Sequence, residues 1–206
     1  MVERFLLSPD SPNYPAVLKS ELYWKPPKEL IAIGNANLLP FRKLGFFCSS
    51  QCPGNAIVRT YDLVKGFSHD GLVIIGGFHS PIEAECLRLL LRGKSGAIIC
   101  PARSIETMRI PSAWKSALEA NRLLILSPFP SNQPRMTREL AEYRNEFVAA
   151  LADAIFIAHA APASQTEAFA HKIAAWEKPL YTIDVPANRG LIELGARPGE
   201  KIQEVT

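Results

Sequence analysis

No run of apolar residues in this 206-residue chain approaches the roughly 18 that a membrane span requires. Nor does it open like a secretory signal, since Glu3, Arg4, Asp10 and three prolines interrupt the first twenty residues, and a cytoplasmic protein is expected. Cysteine is scarce: Cys48, Cys52, Cys86 and Cys100 include no C-x-x-C pair, which argues against a disulfide framework or a zinc ribbon and reads them as small buried hydrophobes. His69, His79, His159 and His171 show no ligand spacing, so no metal is expected. The phosphate fingerprints G-x-x-x-x-G-K-[ST] and G-x-G-x-x-G are both missing, which makes ATP and NAD poor candidates and leaves no cofactor expected. No nucleophile stands beside a base in sequence, so no catalytic residue is assigned. A net charge of +3 is too small for a protein whose whole surface grips nucleic acid, and the placement of the arginines has to decide.

What is present is apolar material in a repeating order. At 48% apolar content the chain buries a real core. From about Leu44, short apolar runs alternate with helix-length amphipathic segments, the pattern of βαβ units. Strands are expected at "LGFFC" (44–48), "GLVII" (71–75), "GAIIC" (96–100), "RLLIL" (122–126), "DAIFIA" (153–158) and "PLYTI" (179–183). Runs this continuous suit strands covered on both faces. Ile57, Tyr61 and Val64 form one helical stripe, and Leu140, Tyr143, Phe147 and Leu151 another. The expectation is an α/β fold: a Rossmann-like, doubly wound, mostly parallel sheet with helices on both faces. Residues 1–43, proline-rich at first, read as an extended arm packed on the core; 44–197 as the core; and 198–206 as a polar tail.

In such a sheet, ligands lie beyond the carboxyl ends of the strands, where helix N-termini converge with unpaired N–H groups. Three loops fit. "CSSQCPGN" offers Ser49 and Ser50; "GGFHSPIE" offers Gly76 and Gly77 for close backbone approach, then Phe78 and Ser80; "APASQTEAF" offers Ser164, Gln165 and Thr166. Ser80 with Glu83, and Ser164 with Glu167, also match the S-x-x-E capping box, so the same residues can simply satisfy their own helices. Three loops on one edge argue for an anion site, with phosphate as the ligand.

The ordered set of segments resembles the DprA/Smf family of DNA-processing proteins. "YPAVLKSELYWKPPKELIAIGNANLL" is similar to that family's opening segment, "FCSSQCP" lies where it has "V-G-S-R-x-P", and "IIGGFHSPIEAEC" where it has "S-G-x-A-x-G-I-D-x-x-A". "LLILSPFPSNQP", "EYRNEFVAALADAIFIAHAA" and "NRGLIELGA" follow in the family's order, with Arg144 and Asn145 retained. The likeness covers most of the chain, without the helical module that precedes the family's core or the winged helix that follows it. It departs at the charges: the family carries arginine where this chain has Gln51, Ser80, Tyr143 and Glu146, and aspartate where it has Glu83. Losing four positive positions weakens sequence-independent DNA binding.

The resemblance implies a non-catalytic protein that binds single-stranded DNA, loads a RecA-type recombinase during natural transformation, and forms a homodimer. Ser49, Ser50, Gly76, Gly77, Phe78, Ser80, Ser164, Gln165 and Thr166 would line the strand, Arg144 beside Asn145 would supply charge, and Phe78 and Tyr143 would stack on bases. Two alternatives stand beside it. One is a nucleotide sensor or hydrolase using the same anion pocket with Glu83 as base, as a distant likeness of "GGFHSPIE" to the "P-G-G-x-G-T-x-x-E" motif of cytokinin-ribotide-cleaving proteins suggests. The other is an interaction scaffold that lost its ligand, with Trp176 exposed to a partner.

Overall fold

A computed structural model describes residues 4–19, 27–67 and 71–205; His69 and part of the proline-rich opening segment lie outside the described residues. The strands are β1 (Arg4–Leu7), β2 (Leu30–Gly34), β3 (Arg42–Phe47), β4 (Leu72–Gly76), β5 (Gly96–Ile99), β6 (Leu123–Ser127), β7 (Ala154–Ile157), β8 (Leu180–Thr182) and β9 (Arg197–Pro198). The helices are α1 (Gly54–Lys65), α2 (Pro81–Arg92), α3 (Ser112–Glu119), α4 (Arg138–Leu151), α5 (Gln165–Ala175) and α6 (Arg189–Glu193). One sheet runs in the order β1-β2-β6-β5-β4-β3-β7-β8-β9, parallel from β6 to β9. This is the doubly wound α/β fold that the alternating runs imply. No helix among the described residues is long and apolar enough to cross a membrane.

Period-two alternation divides the apolar residues between two layers. Phe46, Ile74, Ile99, Ile125 and Phe156 pack under α1, α2 and α3 through Val64, Cys86 and Leu118. Phe47, Ile75, Ile98, Leu124 and Ile155 face α4 and α5 through Phe147, Phe169 and Ile173. With both faces covered, every residue of β4 is buried, and the same holds for β6 and β7.

Both ends of the chain are more structured than composition suggests. Within the first forty residues, β1 pairs antiparallel with β2 (Leu6 opposite Ile31), and β2 pairs antiparallel with β6 (Ala32 opposite Leu126). Pro9, Pro12, Pro15 and Pro27, which mark the opening stretch as irregular, fall in the irregular segments between these strands. In the tail, Arg197 and Pro198 pair with Tyr181 and Thr182 of β8, and Arg59 reaches Glu200 at 3.1 Å.

Tyr181 in β8 is 1% exposed, and its hydroxyl is the buried side-chain polar atom left without a hydrogen-bond partner among the described residues. Leaving such a group dry opposes folding. Tyr181→Phe is therefore expected to stabilise the protein by about 1 kcal/mol, raising Tm in a thermal melt by about 2–4 °C.

Candidate functional site

From β3 the chain builds outward through β4, β5 and β6, then returns to the other side of β3 with β7. That reversal opens a crevice between the carboxyl ends of β3 and β7, the place where open α/β sheets receive ligands. Ser49 stitches the crevice shut at its base. Its N–H donates to the His159 carbonyl (2.9 Å), its hydroxyl accepts from the Ala161 N–H (3.0 Å), and that hydroxyl lies 3.2 Å from the Ser164 hydroxyl. Asn188, from the "NRGLIELGA" segment, secures the neighbouring strand ends. Its amide donates to Ala158 and Ile183 carbonyls and to the Thr182 hydroxyl, each at 2.9 Å, and its oxygen meets His159 Nδ1 at 2.7 Å.

The three helix starts differ in what they leave open. At α2, the carboxylate of Glu83 takes the place an anion would occupy. It accepts from Cys48 N–H at 2.9 Å, His79 N–H at 2.8 Å and Ser80 N–H at 3.2 Å, while the Ser80 hydroxyl accepts from Glu83 N–H. At α5, Ser164 caps Glu167 N–H and Glu167 reaches back to Ala163 N–H at 2.7 Å. Ser80 and Ser164 are thus engaged in helix capping through their hydroxyl oxygens, which accept from Glu83 N–H and Glu167 N–H. The first turn of α1 is guarded less: Pro53 precedes it without a side-chain cap, the Asn55 side chain accepts from Ala56 N–H (2.8 Å), and Ser50, Gln51 and Gly54 are exposed. Gln165 is exposed at the start of α5, its amide bridging Glu142 and Arg138 when oriented to satisfy both, and Thr166 is half-buried beside it.

Beyond β4, the chain is shaped around Arg144. Gly76 ends the strand opposite Phe46, and Gly77 lies so close to the Arg144 guanidinium that a Cβ there would sit 1.2 Å from Nη1. Arg144 is 6% exposed; Nη1 donates to the Cys100 carbonyl (3.0 Å) and Nε to the Asn145 side-chain oxygen (2.9 Å). Nη2 makes no hydrogen bond among the described residues. Burial pulls the guanidinium pKa down, and Glu83 acts against that. The residue faces a cleft of about 230 Å³ lined by Gly77, His79, Pro101, Arg103, Trp114 and Met136. Ser127 binds the Arg103 carbonyl (2.8 Å) and Ser104 N–H binds the Gln133 carbonyl (2.8 Å), so the loops after β5 and β6 form one wall.

Phe78 lines the same cleft with its ring largely packed inward. It adopts φ of 49°, is 7% exposed, and stacks on Phe46 with centroids 6.3 Å apart. Tyr143 packs against Phe129, 5.7 Å between centroids. Of the two readings of Trp176, a surface for a partner or a core residue of the preceding helix, the second holds: it is 8% exposed at the C-cap of α5. Trp114 and Met136 were not foreseen as lining residues, whereas Arg103 was placed near a strand end. Their one sequence signal is position, on or after the loops that follow β5 and β6.

The family model for DNA recombination-mediator protein A matches residues 5–206. The chain belongs to that family. Among solved structures it is similar to DNA processing protein A from Streptococcus pneumoniae, with a TM-score of 0.79 and 20% identity over 98% of this chain and 74% of that one. It is equally similar to DNA processing protein A from Helicobacter pylori, which binds single-stranded DNA: TM-score 0.79, 22% identity, 99% and 94% covered. The molybdenum cofactor carrier protein of Chlamydomonas reinhardtii shares the fold more loosely, with a TM-score of 0.54 and 15% identity over 80% and 95%. No curated protein sequence matches the chain.

The four positions where the resemblance implied arginine have other surroundings here. Gln51 is exposed on the β3–α1 loop, Ser80 caps α2, Tyr143 packs on Phe129, and Glu146 pairs with Lys172 at 2.6 Å. Positive charge sits elsewhere on the same edge. Arg103, Arg109 and Arg135 are exposed on the loops after β5 and β6 and form no ion pair among the described residues.

Proposed function

We propose that the protein binds single-stranded DNA along the carboxyl edge of its sheet, without catalysing a reaction. One observation supports this above the rest: Arg103, Arg109 and Arg135 are exposed and form no ion pair on the loops after β5 and β6, and Arg103 shares a cleft with the buried Arg144, whose Nη2 is uncommitted among the described residues. Guanidinium groups placed this way neutralise successive phosphates and release counterions, which gives binding that is indifferent to sequence. The exposed start of α1 adds backbone donors at the β3 end of the edge.

A small-nucleotide hydrolase is disfavoured on two counts. The cleft, about 230 Å³, is smaller than the roughly 300–1,000 Å³ of pockets that enclose small molecules. The Glu83 carboxylate already accepts three backbone N–H groups and is not placed as a base. We extend the reading to a cytoplasmic homodimer that passes the strand to a RecA-type recombinase, a role that membership of the family supports. Light scattering on the eluting protein measures the stoichiometry.

Fluorescence anisotropy with a labelled oligonucleotide tests the binding. The association constant should fall linearly with salt on logarithmic axes, with a slope of about −0.7 for each phosphate contacted. Arg103→Ala should weaken binding of every sequence alike and flatten that slope by about 0.7. Absence of binding at low salt, or a mononucleotide that competes as well as the oligonucleotide, would remove the proposal.

A further inference from the structure

The loop that carries Arg103 and Arg109 runs from the end of β5 to the start of α3, and it is fastened from two sides. Its opening part is held from β6 and the loop after it: the Ser127 hydroxyl donates to the Arg103 carbonyl at 2.8 Å, and Ser104 N–H donates to the Gln133 carbonyl at 2.8 Å. The part that follows is a turn, Ile105-Glu106-Thr107-Met108, closed by Met108 N–H on the Ile105 carbonyl at 3.1 Å. That turn is held from the far end of the chain. Arg4, in β1, donates through Nη2 to the Met108 carbonyl at 2.7 Å and through Nε to the Ile105 carbonyl at 3.4 Å, across 104 and 101 residues.

We propose that Arg4 is a positioning residue for nucleic-acid binding: it clamps the two end carbonyls of this turn and so fixes where Arg109, the next residue along, presents its charge. The inference rests on the DNA-binding reading for its consequence, but not for the clamp.

The register explains how an edge strand reaches this loop. Arg4 stands opposite Ile33 in the pairing of β1 with β2, and antiparallel partners share a face of the sheet. Ile33, Ile105 and Met108 belong to one apolar layer with Leu118 of α3, so the turn is seated on the same face that Arg4 crosses. Glu106 and Thr107 are exposed, which leaves the ends of the turn to carry the fastening. Nε and Nη2 form one edge of a planar guanidinium, whose fixed N–H groups suit two neighbouring carbonyls; an ammonium has no such edge. Arg4 forms no ion pair among the described residues. Met108 lines the cleft that Arg144 faces, and Arg109 is exposed beside it, so release of the turn moves a cleft wall and a phosphate-binding charge together.

Limited trypsin digestion of the full chain, with the cut sites mapped by mass, reads the clamp without nucleic acid. Arg4→Lys and Arg4→Ala should both speed cutting of the Arg109–Ile110 bond about tenfold, because cleavage follows the population of the opened loop. Cutting within α1 and α4 should keep its wild-type rate. Unchanged cutting at this bond, or faster cutting throughout the chain, overturns the clamp. Oligonucleotide anisotropy then reads the consequence. Arg4→Lys conserves charge, yet it should flatten the salt slope by about 0.7, the loss of one phosphate contact through Arg109. In an Arg109→Ala background it should flatten the slope no further. An unchanged slope in Arg4→Lys overturns the positioning role, and if Arg4→Ala alone flattens it, Arg4 is itself the phosphate contact. Faster loop cutting in a protein that binds no oligonucleotide at low salt would remove the DNA-binding reading and leave the clamp in place.

Discussion

Gly77→Ala is expected to abolish oligonucleotide binding and to lower Tm by roughly 10 °C, an unusually large effect for one added methyl group. The backbone is not the reason, because Gly77 does not occupy the left-handed region that favours glycine. In an ordinary conformation, glycine to alanine stabilises by about 0.4–1 kcal/mol through the unfolded chain. Here the methyl would lie 1.2 Å from Nη1 and 1.9 Å from Cζ of Arg144, so the guanidinium must leave. Its departure strips the Cys100 carbonyl of its donor and leaves the Glu83 carboxylate without its nearest buried positive charge. Orphaning buried hydrogen-bonding groups in this way costs about 1–3 kcal/mol each, more where one is charged. A double-mutant cycle isolates the cause. In an Arg144→Ala background, Gly77→Ala should be neutral or slightly stabilising; if the two penalties instead add, the collision with Arg144 is not what the glycine avoids.

That the fold was legible and the site only half so has a physical basis. A strand covered on both faces must be apolar throughout, and "LVII", "LLIL" and "AIFI" announce this without any knowledge of their neighbours. The strands β1 and β2 escape notice because proline-rich segments surround them, and antiparallel pairing near the sheet edge leaves some of their residues partly exposed. The loops were located correctly by the same alternation, but what their side chains do depends on partners remote in sequence. Ser49 meets Ala161, 112 residues away, and the hydroxyl that composition offers to a phosphate closes the crevice instead. Phe78 turns inward through a single positive φ, which no pattern of residue types encodes. Arg144 was singled out as a surface charge and proves to be the buried centre of the site.

Glu83→Gln should have the second-largest effect, a loss of about 3 kcal/mol and a Tm lower by about 6–12 °C, although the change removes no atom count to speak of. The carboxylate uses both oxygens as acceptors: Oε1 for Cys48 N–H, and Oε2 for His79 and Ser80 N–H. A carboxamide has one oxygen and one NH₂, so whichever way it turns, a donor faces a donor at one of these positions. It also withdraws the negative charge that offsets the burial of Arg144. Glu83→Asp, which matches the family motif, keeps the charge and should retain more of the stability than the amide does. The order of the two variants is informative. If Glu83 served mainly as a catalytic base, Glu83→Gln would keep its melting temperature and lose a reaction; if it is the built-in anion of the α2 start, the amide unfolds early and the aspartate holds. Binding should follow the same order, since the turn that Glu83 fastens positions Gly77, and Gly77 sets where Arg144 meets the cleft.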